Sequence, residues 1–131
     1  MTQRSSMPTL SARLSERNRQ AVNQAAERVE SVYQVAKSLE LAGPDAWVRL
    51  ASVGKVDTGQ SQHCRRILLA VYNGNAWPLD PTRLRVIDRE LLQAALIVIE
   101  WSIYSFNEPH EYTPGGDQLM QDFAAIEKKE P

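Results

Sequence analysis

The chain has 131 residues, 43% of them hydrophobic and 24% charged, with a formal net charge of −1. That is the size and balance of one soluble domain with a real core. It gives no global pull towards nucleic acid or an anionic membrane. Charge is uneven along the chain: residues 1–20 sum to +3, and residues 107–131 sum to −4.

Residues 1–10 read as a flexible lead-in. Residues 11–42 are rich in Ala, Glu, Gln, Arg and Leu and free of Gly until Gly43, which predicts a long helix. Within it Val22, Ala25, Val29, Val32, Ala36 and Leu39 are spaced alternately by three and four residues. This is the seam of a coiled coil or helical hairpin, and it makes these six residues the candidates for self-association as a homodimer. Packing against the rest of the same domain is the commoner use of such a seam, and its alanines suit a close helix approach.

Gly43-Pro44 predicts the end of that helix, because Gly suits a left-handed C-terminal cap and Pro cannot continue the hydrogen-bond ladder. A short second helix is expected over 45–53, and residues 43–131 as a whole form the core of the domain. Asp57-x-x-Gln60 and Thr58-x-x-Ser61 both have capping spacing ahead of a helix that runs to about Tyr72 and buries Cys64, Ile67, Leu68, Val71 and Tyr72. Asn73-Gly74 marks its end. Asp80-Pro81 starts a short turn, and Asp88 is the expected cap of a helix over 88–106. Polar residues form only a narrow stripe on that segment, so it reads as the buried central helix. At 16 residues the apolar run Leu91–Phe106 is shorter than the roughly 20 that span a bilayer. Thr113-Pro114-Gly115-Gly116 is a turn, and Leu119, Met120, Phe123 and Ala124 recur at helical spacing in a last helix behind Asp117. The expected class is all-α, with about five helices.

The single cysteine, Cys64, permits no internal disulfide and fits a reducing cytoplasm, where the protein is expected. Residues 1–20 contain no apolar h-region, so no signal peptide is expected. Asp57-Thr58-Gly59 is the tripeptide of aspartic proteases, but that chemistry needs two such loops on a strand-rich frame, and here the motif opens a helix. His63-Cys64 and His110-Glu111 lack chelating spacing, so no metal, cofactor or catalytic set is expected. Glu100 is the one carboxylate within the apolar run Leu91–Phe106 and a candidate interaction residue. Arg4, Arg13, Arg17 and Arg19 make a basic patch that could contact phosphate, without the aromatics or motif of a nucleic-acid reader. Trp77 and Tyr112 sit on expected loops and are candidate anchors for a protein partner.

The run Asp57-Thr58-Gly59-Gln60-Ser61, then Leu68-Leu69-Ala70-x-Tyr72-Asn73, then Leu79-Asp80-x-Thr82-x-Leu84 and Ile87-Asp88, resembles a domain-of-unknown-function family. Its members occur on proteobacterial integrative elements and plasmids. They carry an aromatic pair and a Phe where this chain has Val71-Tyr72 and Leu79. The resemblance covers about residues 48–127 and carries no catalytic residues. It implies a mobile-element protein that acts by binding, for example as an inhibitor or adaptor of a host complex in the manner of an anti-CRISPR. The resulting expectation is a non-enzymatic helical interaction module, with a nucleic-acid-associated accessory protein as the alternative.

Overall fold

The Thr9 side chain opens the first helix, its hydroxyl accepting a hydrogen bond from Ala12 N at 3.1 Å. The structure, a computed structural model, describes residues 9–129. Helix α1 runs from Leu10 to Gly54, α2 from Ser61 to Tyr72, α3 from Arg89 to Tyr104 and α4 from Gly116 to Lys129. Two short 3-10 turns, Pro81–Arg85 and Pro109–Tyr112, flank α3. Among the described residues there are four α-helices and no strand, one helix fewer than expected. The expected lead-in lies largely outside the described residues, as does Arg4.

The missing helix end explains the difference in count. Gly43-Pro44 does not stop α1, which continues through both residues. Gly43 is buried, and a Cβ on it would meet the indole of Trp101, within 2.6 Å of Cε2 and Cε3. It serves a close approach between helices, not a left-handed cap; the one glycine with positive φ among the described residues is Gly115. Pro44 forfeits a ladder hydrogen bond in a helix whose following turns bury Ala46, Trp47, Leu50 and Ala51, and that burial outweighs the roughly 3 kcal/mol such a proline costs.

The chain divides into two units, residues 1–35 and 36–131. In the first, residues 10–35 form helix and every one of them is exposed. Local pairs support it: Glu16 accepts hydrogen bonds from Arg19 and Gln20, and Gln34 donates to Glu30.

In the second unit the core gathers Leu39, Trp47, Leu50, Cys64, Ile67, Leu68, Leu91, Val98, Trp101, Met120 and Phe123. The most enclosed helix is α2, which packs against α3, α4 and both 3-10 turns. Helix α3 is therefore not the central helix that its composition suggested. One face buries Leu91, Ala94, Ala95, Val98 and Trp101, while Leu96 and Ile103 are exposed. Phe106 lies past its end, fully in solvent.

Candidate functional site

Helix α2 begins at the motif that drew attention in the sequence. Thr58 N donates to Ser61 Oγ at 2.8 Å, and the two hydroxyls lie 2.9 Å apart. Gln60 N donates to Thr58 Oγ1 at 3.3 Å, so the Thr58/Ser61 pair organises this helix start. Asp57 is exposed and takes no part in it. Gln60 does something else: its amide nitrogen donates to Asp88 Oδ2 at 2.8 Å while its oxygen accepts from Asp88 N at 2.6 Å. One side chain thereby ties the starts of α2 and α3 together. Asp88 stands at the N-cap position of α3, but its carboxylate is engaged by Gln60, not by its own helix.

Deeper in the same unit lies a polar cluster that sequence reasoning missed. Glu127 of α4 is 1% exposed and accepts from Arg65 Nε at 2.7 Å and from Arg66 Nε at 2.6 Å. Arg65 also donates to the carbonyl of Gly54 at 2.9 Å, and Arg66 lies over Trp77, 4.8 Å from the ring centroid. Burial pushes the Glu127 carboxyl up, but hydrogen bonds from Arg66, Arg65 and Gln62 outweigh it and hold the group below its ordinary value. A signal for this cluster was present. Met120, Phe123 and Glu127 follow helical spacing on the buried face of α4, and Arg65 sits between the buried Cys64 and Ile67. Beside it, Arg83 donates to His63 Nδ1 at 3.1 Å, and burial, then the Arg83 charge, lower the His63 pKa. Burial pushes the Cys64 thiol up to about 11, as expected of a core residue and not of a nucleophile.

Trp77 and Tyr112 are both half-buried and held in place. Trp77 carries Arg66 on its ring. Tyr112 packs on Trp101 with centroids 4.8 Å apart, and its hydroxyl lies 3.1 Å from Ser105 Oγ and donates to Glu40 at 3.4 Å. Glu100 is exposed on α3. Arg13 and Arg17 are exposed on α1, and Arg19 is paired with Glu16. No three His, Cys, Asp or Glu side chains among the described residues could hold one metal ion. A groove of about 310 Å³ between α1 and the start of α4 is lined by Trp47, Ala51, Pro114 and Leu119, with Lys55 and Asp122 as its ionisable groups.

The predicted self-association seam divides. Leu39 is in the core and Ala36 is half-buried, whereas Val22, Ala25, Val29 and Val32 are exposed. Leu10, Leu14, Tyr33 and Val35 join these four on one half of the helix circumference, and Glu16, Arg19, Gln20, Glu27, Glu30 and Gln34 occupy the other. No helix of the described residues is long and apolar enough to cross a membrane. No curated protein and no solved structure matches the chain. A family model does match over residues 44–128, and the chain belongs to that family, a family of unknown function (DUF7673).

Proposed function

We propose that this protein is a non-enzymatic interaction module that presents the helical segment 10–35 to a partner protein. One observation carries the reading. A stripe of Leu10, Leu14, Val22, Val29, Val32 and Tyr33 runs along helical segment 10–35, whose residues are all exposed, with Val22 and Val29 at 67% and 70%. An amphipathic face of this length serves to be covered, and an amphipathic helix laid in a groove is a common mode of protein recognition. Arg13, Arg17 and Arg28 follow one edge of the stripe, so the complementary surface is an apolar groove with acidic side chains along one side. The wider expectation, an inhibitor or adaptor of a host complex serving a mobile element, rests on the family resemblance.

The test uses the full chain. Wild type and a Val22→Asp/Val29→Asp variant are compared by affinity capture from the native host's lysate, with duplex DNA as a separate ligand at low and high salt. A protein held in stoichiometric amount by wild type and lost from the variant supports the reading. Capture unaffected by the two aspartates removes it. DNA binding that falls steeply with salt would favour the accessory role instead.

A further inference from the structure

Helix α3 carries a second uncovered apolar stripe, in the other unit and independent of the segment just discussed. Leu92, Leu96, Ile99 and Ile103 are spaced by four, three and four residues. At about 100° per residue they fall within an arc of about 60°. Leu96 is 51% and Ile103 69% exposed, and Leu92 and Ile99 are half-buried. Val86 before the helix and Phe106 after it are 58% and 102% exposed.

Charge on the rim of this stripe identifies what covers it. Arg89 near the start of α3 and Glu100 near its end are both exposed, and neither has an ion-pair partner among the described residues. They lie 11 residues apart, which is close to three helical turns, so both stand on the same edge of the stripe. We propose that the α3 stripe is an interface for a second copy of this chain, packed antiparallel about a two-fold axis that crosses the stripe between Leu92 and Leu96, midway between Arg89 and Glu100. A two-fold contact is self-complementary: whatever one residue meets, its counterpart meets in return. Antiparallel packing sets Arg89 of each copy opposite Glu100 of the other, twice in one dimer. Leu92, Leu96 and Ile99 meet in the middle, and Phe106 of each copy reaches the Val86 end of the other. A parallel two-fold pair would instead carry this edge to opposite sides of the contact in the two copies, so neither charge would meet a counterpart. The helix dipoles also oppose favourably only in the antiparallel pair.

Sedimentation equilibrium of the full chain across the micromolar range tests this. Wild type forms a dimer, and Leu96→Lys/Ile103→Lys abolishes it without changing helix content, since both side chains are exposed. Arg89→Glu and Glu100→Arg each weaken the dimer by about tenfold, because two exposed charge pairs per dimer become like-charged. The combined Arg89→Glu/Glu100→Arg variant returns to within about threefold of wild type. A wild-type monomer, or a combined variant no better than its parents, overturns the proposal. So does a dimer that survives the two lysines and is lost in Val22→Asp/Val29→Asp. That last result would place the second copy on segment 10–35, removing this proposal and making a second copy the occupant of that segment; the lysate capture above tests the functional reading separately.

Discussion

Arg65 Nε lies 2.7 Å from a carboxylate oxygen of Glu127, a residue 62 positions away that is 1% exposed. Arg66, the next residue of α2, reaches the other oxygen at 2.6 Å. The contact fixes the C-terminal half of α4 against α2 and, through the Arg65 donation to Gly54 O, against the end of α1. Two guanidinium groups share one buried acceptor, so its removal is felt in three helices.

Glu127→Ala is therefore expected to cost about 3–5 kcal/mol, the usual loss when one member of a buried ion pair is taken away. Urea unfolding of wild type and variant measures it. A loss below about 1 kcal/mol would mean that the pair contributes no more than an exposed salt bridge.

The same carboxylate sets an acid limb. Its folded pKa is below the ordinary glutamate value of about 4.3, so the ionised form is favoured by folding. Its contribution is fully present above that value and is lost as pH falls through the lower, folded one. The stability gap between wild type and Glu127→Gln should thus narrow as pH falls below the ordinary glutamate range and close once it passes the lower, folded value. A gap that widens in acid would contradict the sign.

Much of the fold was legible because its signals are local. Asp80 accepts from Thr82 N at 3.0 Å, as Asp-Pro grammar predicts, and α2 stops at Tyr72, just before Asn73-Gly74. What failed was the inference from a local signal to a tertiary fact. Gly43-Pro44 has the composition of a stop but answers to Trp101, 58 residues away. Gln60 has capping-box spacing from Asp57 but bonds to Asp88. The apolar content of α3 suggested enclosure, whereas part of it is a surface stripe. Such relationships depend on partners brought together only by folding.

The Gln60–Asp88 tie is open to direct test. Gln60→Ala removes both hydrogen bonds between the two helix starts and is expected to cost about 1–2 kcal/mol. Gln60→Glu should be worse than Gln60→Ala, since it sets a second carboxylate against Asp88 and loses the donated N–H. If the two variants melt alike, the tie carries little of the junction's stability.

Gly43→Ala should destabilise by about 1–3 kcal/mol, because the new methyl has no room beside the Trp101 indole and one helix must shift. Gly59→Ala is the control: a Cβ there meets nothing within 4 Å, and φ is not positive. Thermal unfolding of the pair decides whether close packing, and not backbone freedom, is what Gly43 supplies.

His63 supplies a prediction near neutral pH. Burial is the largest influence lowering its pKa from 6.5, and Arg83 adds to it, while Glu127 acts in the opposite sense. The neutral imidazole is thus the form that folding favours, and it can accept the Arg83 hydrogen bond at 3.1 Å. Its contribution is complete above about pH 6.5 and is lost as pH falls through the folded value. NMR titration of the imidazole should give a midpoint below 6.5 in wild type. In Arg83→Gln the midpoint should move up yet stay below 6.5, because burial remains. A wild-type midpoint at or above 6.5 would show that the Glu127 charge dominates, and the imidazolium would then be the form held in the cluster.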